Sequence, residues 1–319
     1  MTFTTLIDAD SLRELQDGSA PRGPANAGSA DRGPADGGPA DRSPVVLLDC
    51  RFDLGKPGAG RQAYVTAHIP GARYADLNQD LASPVTADSG RHPLPSPGAL
   101  HEFFASLGIS DASQVIVYDD ANGSFAARAW WLLRWLGHAR VAVLDGGFKA
   151  WLASGGAVES GEPALESASG AASFTTEPRP ETVMTTAEVL QTLGDPNRLL
   201  VDARAPERFA GTVEPIDPVA GHVPGAVNHP FTVNLGPEGR FLPAAELRRR
   251  WLARLGGLPP GNAILMCGSG VTACHNLLAM ELAGLPGAKL YSGSWSEWIR
   301  DARRPVARGE GSPHETPTE

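Results

Sequence analysis

Two consecutive α/β domains, each a central parallel sheet flanked by helices, are what this 319-residue sequence predicts. Three observations carry that expectation. The chain repeats itself once, short apolar runs alternate with helical stretches, and the length exceeds what a single core comfortably fills. With 42% hydrophobic and 20% charged residues there is enough apolar surface for two real cores.

The repeat is legible in four places. VVLLDCR at 45–51 is matched by LLVDAR at 199–204, and AHIPGA at 67–72 by GHVPGA at 221–226. VIVYD at 115–119 is matched by AILMC at 263–267, and VLDGGFKAW at 143–151 by LYSGSWSEW at 290–298. The order is conserved at offsets of 153, 154, 148 and 147 residues, a period that means duplicated domains and not a solenoid. Within the copies, VVLLD, VIVYD and VAVLD read as buried parallel strands, because each is a short apolar run closed by a polar residue. FAARAWWLLRWL at 125–136 and ACHNLLAMELA at 273–283 have helical length and spacing. Strand–loop–helix alternation of this kind places chemistry at the carboxyl ends of the strands, where Asp119 and Cys267 fall.

The breaks are compositional. Residues 17–44 are built of Gly, Pro, Ala and Asp and read as a disordered insertion without chemistry. Residues 155–182 read as an interdomain linker, and the tail from Gly309 is polar and loose. The expected division is therefore a domain at 1–154, the linker, and a domain at 183–319.

Charge and cysteine content exclude several classes. A net charge of −9 argues against nucleic acid or an anionic membrane as partner. No apolar run approaches the roughly 20 residues of a membrane span. The first 15 residues carry Asp8 and Asp10 and lack the basic-then-apolar order of a secretory signal. Three cysteines, Cys50, Cys267 and Cys274, are too few for a disulfide framework and suit a reducing compartment, so the expected location is the cytoplasm.

Chemistry is expected at Cys267. A strand delivers it into Gly268-Ser269-Gly270-Val271-Thr272, and a helix starts directly afterwards. The glycines allow the loop to curl its N–H groups inward, the helix start adds its positive end, and the two together cradle an anion and favour the thiolate. The Ser269 and Thr272 hydroxyls can add donors. Cys274, one turn into the helix, reads as a packing residue, and Cys50 has no comparable loop. A phosphatase of the Cys-x5-Arg type needs an arginine to hold the phosphoryl oxygens, and position 273 is Ala. Neutral donors suit a cysteine persulfide better.

These residues resemble the tandem rhodanese family of sulfurtransferases, over the chain apart from 17–44 and the extreme termini. CGSGVTA at 267–273 resembles the active-site loop of its 3-mercaptopyruvate-using members. Thiosulfate-using members carry basic residues after the cysteine, which suit a dianionic donor. The resemblance implies ping-pong transfer with no metal or organic cofactor: 3-mercaptopyruvate leaves a Cys267 persulfide and pyruvate, and cyanide, a small thiol or thioredoxin removes the sulfur. It also implies that the first domain, with Asp119 in place of the cysteine, covers the site instead of catalysing. Alternatives are a thiosulfate sulfurtransferase and a non-catalytic persulfide carrier.

Features present in both copies read as fold-making, which assigns Asp49, Arg51, Asp202 and Arg204 to ties between strand ends and neighbouring loops, and His222 to packing or bonding within its own domain. The same symmetry assigns His68 to the fold, whereas the resemblance places it beside Ser269 as a relay histidine; no acid occurs at 57–67 to complete a relay. Arg208 matches a family arginine that holds the donor carboxylate. A second family arginine is missing from VEPIDPV at 213–219, so Arg91 is a candidate contributor. Trp295 and Trp298 read as core aromatics, with Trp295 able to wall a pocket.

Overall fold

The computed structural model describes residues 2–18, 43–162 and 174–311. Most of the predicted insertion at 17–44, the centre of the predicted linker and the end of the tail lie outside the described residues.

The first compact unit contains β1 (Leu6–Ile7), α1 (Ala9–Gln16), β2 (Val45–Asp49), α2 (Ala59–Thr66), β3 (Arg73–Tyr74), α3 (Pro97–Ser106), β4 (Gln114–Tyr118), α4 (Ala126–Trp135), β5 (Val141–Leu144) and α5 (Gly147–Ala153). Its strands form one parallel sheet in the order β1-β5-β4-β2-β3. The predicted strands are found within one residue of their expected ends, because runs such as VIV at 115–117 are wholly buried and extended pairing satisfies their backbone.

The second unit contains β6 (Val183–Met184), α6 (Thr186–Gln191), β7 (Leu199–Asp202), α7 (Pro206–Ala210), β8 (Val227–Asn228), α8 (Ala244–Leu255), β9 (Ala263–Met266), α9 (Thr272–Leu282), β10 (Lys289–Tyr291) and α10 (Ser294–Trp298). Its parallel sheet runs β6-β10-β9-β7-β8, the first sheet's order repeated strand for strand. Thr185 and Glu188 form a reciprocal capping box that starts α6. The core of this unit sets Ile264 and Met266 against Phe209, Tyr291, Trp295 and Trp298. No helix among the described residues is long and apolar enough to cross a membrane.

The shared polar residues do the same work in both sheets. Arg51 is paired with Asp49 at 2.6 Å and donates to the Ala67 carbonyl; Arg204 is paired with Asp202 at 2.7 Å and donates to the Gly221 carbonyl. All four side chains are buried, so each guanidinium serves as internal counter-ion and clasp for the loop after its strand. His222 bonds the Phe209 carbonyl through Nδ1 and stacks on the Phe209 ring.

Compactness does not follow the sequence repeat. The first unit comprises residues 1–77, 97–178 and 238–244; the second comprises 78–96, 179–237 and 245–319. This modifies the simple division at 1–154 and 183–319: an arm at 78–96 belongs with the second sheet, and a short one at 238–244 with the first. The ends of the expected linker are also packed. The Ala157 carbonyl accepts from Trp151, Glu159 pairs with His68, and Phe174 is buried against Phe104 and His101. Gly309, at the start of the expected loose tail, donates to the Ala210 carbonyl.

Candidate active site

β9 ends at Met266 and α9 begins at Thr272, so Cys267 and its loop occupy the carboxyl edge of a central strand. Cys267 is 2% exposed. The Ser269 N–H donates to its Sγ at 3.4 Å. The Cys267 N–H donates to the Ser294 hydroxyl at 3.0 Å, and its carbonyl accepts from Trp295 N–H. Ser294 holds that position in a left-handed backbone conformation, φ +54°, where its counterpart in the first unit, Gly147, has φ +57°. A serine accepts this strain because its hydroxyl is fixed at both ends, donating to the Tyr291 carbonyl at 2.9 Å.

The two loop glycines serve different purposes. Gly270 has φ +77°, and a Cβ there would lie 2.4 Å from the Ser292 carbonyl oxygen, so conformation and space both demand glycine. Gly268 is not in the left-handed region; its missing side chain makes room for guanidinium groups. A Cβ on it would stand 2.8 Å from Arg91 Nη2 and 3.6 Å from both terminal nitrogens of Arg208. The loop is thus neutral in sequence but not in space, which corrects the expectation of a cradle without arginine.

Arg208, in the last turn of α7, is held by Glu214 through Nε at 3.0 and 3.1 Å and by Asp217 through Nη2 at 2.9 Å. Asp217 also binds Arg91 Nη1, so one carboxylate bridges the two guanidiniums. Burial alone pushes Glu214 up, but Arg208 and the N–H groups of Asp217 and Ile216 outweigh it and hold the carboxyl below its usual range. Trp295 is fully buried, bonded through Nε1 to the Val219 carbonyl with Arg204 over its ring, and Trp298 is likewise core.

The histidine at Ser269 is His92. Its Nδ1 lies 2.7 Å from Ser269 Oγ and its Nε2 lies 3.1 Å from Asn78 Oδ1. With Asn78 accepting from Nε2–H, a neutral ring presents Nδ1 as acceptor of the Ser269 hydroxyl proton. The pairing of Ser269 with His68 is therefore corrected. His68 is fully buried in the first unit, its Nδ1 on the Tyr64 carbonyl at 2.8 Å, its Nε2 on Glu159 at 3.0 Å and its face stacked on Tyr64. That is the fold-making role which repeat symmetry assigned to it. A sequence signal for His92 did exist: RHPLP at 91–95 is matched by GRFLP at 239–243, so the histidine is unique to one copy.

Cys274, buried in α9, points its thiol at the Gly270 carbonyl at 3.3 Å and serves the loop's packing. Cys50 is buried beside the Leu48 carbonyl.

Duplicated parallel α/β units, one of which ends a central strand in a buried cysteine whose thiol accepts a backbone N–H, define a tandem scaffold with a cysteine-bearing loop at a strand end. The chain belongs to the rhodanese-like domain family, whose model matches residues 37–154 and 185–301. A protein of Pseudomonas aeruginosa named "Probable 3-mercaptopyruvate sulfurtransferase" is 51% identical over 268 residues, covering 83% of this chain and 93% of the relative. The thiosulfate sulfurtransferase of Bos taurus is 39% identical over 264 residues, covering 79% and 84%. Among solved structures, SseA from Escherichia coli, described as a 3-mercaptopyruvate sulfotransferase, superposes with a TM-score of 0.71 at 31% identity and covers 92% of this chain and all of that one.

Proposed function

We propose that the protein is a sulfurtransferase that takes the sulfur of 3-mercaptopyruvate onto Cys267 and passes it to cyanide or a thiol, thioredoxin included. The observation that supports this most is the setting of Cys267: a thiol receiving a backbone N–H in a loop flanked by guanidiniums, with a serine–histidine pair alongside. In the first half-reaction the Cys267 thiolate attacks the donor sulfur. The S–S bond forms, the C–S bond breaks, and its electron pair passes to the pyruvate enolate. The proton carried by the donor thiol ends on the enolate carbon, and Ser269–His92 offers the relay for it. No external oxidant or reductant is needed, and the products are pyruvate and an anionic persulfide. Arg208 takes the donor carboxylate, for which its planar fork is suited. In the second half-reaction the acceptor attacks the outer sulfur and frees Cys267.

The test is steady-state transfer to cyanide with 3-mercaptopyruvate and thiosulfate compared under identical conditions. A higher kcat/KM for mercaptopyruvate is the expected result. A preference for thiosulfate overturns the donor assignment, and turnover with neither donor points to a carrier loaded by a protein partner.

A further inference from the structure

We propose that Arg91 is a specificity-determining residue of the same site: with Arg208 it forms a two-guanidinium fork for the donor carboxylate, and Asp217, bridging the two, tunes the fork to a singly charged donor. The inference rests on the reading of Cys267 as a sulfur-transfer nucleophile and goes beyond it by assigning the donor's recognition.

Arg91 is fixed as a binding residue would be. Its backbone N–H donates to Ser296 Oγ at 3.0 Å. Its neighbour Gly90 lies so close to the loop after β10 that a Cβ would stand 2.7 Å from the Gly293 carbonyl oxygen. Arg300 bonds the Ser89 carbonyl at 3.0 Å, tying down the residue before. The side chain then reaches Gly268, the residue after the nucleophile, while Nη1 is engaged by Asp217.

One nitrogen of this guanidinium is unanswered. Arg91 Nε is buried and has no hydrogen-bond partner, a costly state for a charged group unless a ligand supplies the acceptor. A carboxylate laid against Gly268 would be in reach of Arg91 and of the terminal nitrogens of Arg208.

Charge then sets the selectivity. Arg91, Arg208 and Arg204 face Asp217, Glu214 and Asp202, three cations against three anions, so the cluster carries no net charge of its own. A monoanion that donates its binding energy through geometry is accommodated. A dianion such as thiosulfate brings one more uncompensated charge than a monoanion does into a largely desolvated place.

The experiment uses the full chain and two readouts. The first is kcat/KM for 3-mercaptopyruvate and for thiosulfate with cyanide as acceptor. The second is the rate of Cys267 alkylation by iodoacetate relative to iodoacetamide, which reads carboxylate recognition without sulfur transfer. For Arg91→Gln the expected result is a fall of about 10- to 100-fold in kcat/KM for mercaptopyruvate, chiefly through KM, and a fall of about 5-fold or more in the iodoacetate-to-iodoacetamide ratio. Iodoacetamide alone should react at the wild-type rate to within about 2-fold, and Arg91→Lys should recover part of the ratio. Asp217→Asn should raise the thiosulfate-to-mercaptopyruvate ratio by about 10-fold. An unchanged alkylation ratio in Arg91→Gln overturns the proposal, as does an equal fall with both reagents. A wild-type enzyme that prefers thiosulfate would sink the functional reading, while the alkylation ratio would still report on Arg91.

Discussion

The loops after β4 and β9 are the same device filled in two ways. In the first unit the Asp119 carboxylate sits in the middle of its loop and accepts four backbone N–H groups, from Ala121, Gly123, Phe125 and Ala126, at 2.8–2.9 Å. Complete burial pushes this carboxyl up, and the four amides offset only part of that rise. A proton on it would find no acceptor among four donors, so the loop is a cradle for an anion. In the second unit the equivalent residue is Cys267, and the equivalent of the Ala121 N–H is that of Ser269, which meets the sulfur. One loop carries the acceptor for its amides in its own side chain. On the proposed sulfur-transfer reading, the other awaits an anion that chemistry must put there, the outer sulfur of a persulfide. A scaffold that holds a carboxylate for stability holds a sulfur for turnover once the residue at its centre is a nucleophile.

Four outcomes would break or sharpen that comparison. The largest is at the nucleophile. Cys267→Ser should lower transfer by at least about 1,000-fold, whereas Cys274→Ser, whose hydroxyl can still meet the Gly270 carbonyl, should keep most of the activity. Persulfide formation in the Cys267 variant, read by mass spectrometry, would end the comparison. Next is the built-in anion. Asp119→Ala should cost about 3 kcal/mol or more, since four N–H groups lose their acceptor, and calorimetry that shows no loss would mean that the amides need no anion.

The third outcome concerns acid. His229 donates its N–H to the Asp202 carbonyl just as Ala75 does to that of Asp49, so the second sheet buries a histidine where the first has alanine. Burial against Trp251, with Arg254 and Arg250 nearby, pushes His229 down to about 4, against the opposing bond to Asn234. Its folded pKa is thus below the unfolded value near 6.5. The neutral ring's contribution is fully present above about pH 6.5 and is lost as pH falls towards 4, a total of about 3 kcal/mol. Denaturant titrations should show that slope in the parent and a flatter one in His229→Ala. An equal slope would place the acid sensitivity elsewhere.

The smallest effect is at Ser294. Ser294→Gly imitates Gly147, relieves a left-handed serine worth about 1 kcal/mol and gives up the acceptor for the Cys267 N–H. Stability should move by less than about 1 kcal/mol while kcat falls several-fold. An unchanged kcat would mean that the hydroxyl serves the turn alone.

What could be read from residue order was whatever repeats or is local. The strands announce themselves as apolar runs, Asp49–Arg51 and Asp202–Arg204 as matched pairs, and the Cys267 loop as glycines at a strand end. What could not be read depends on contacts between residues far apart in the chain. His92 meets Ser269 across 177 positions, and Arg91 meets Asp217 across 126. Both arrive on an arm with no periodic pattern, and nothing local says which sheet that arm joins. His68 was the more visible histidine because it sits in a repeated motif, yet repetition is the mark of the fold. Gly268 was legible as glycine but not for the right reason, since the guanidiniums that need its space come from 91 and 208.

The arm at 78–96 has a consequence for how the molecule can be made and cut. It is translated long before the rest of the unit it packs with and lies between two stretches that build the other one. A gene fragment coding only for residues 179–319 would supply Cys267 and Arg208 but neither Arg91 nor His92. On the ribosome, the arm must wait for most of the chain to emerge before it finds its place. The halves that are copies in sequence are not the halves that pack together, and a clean cut at the repeat boundary leaves Cys267 without its full set of neighbours.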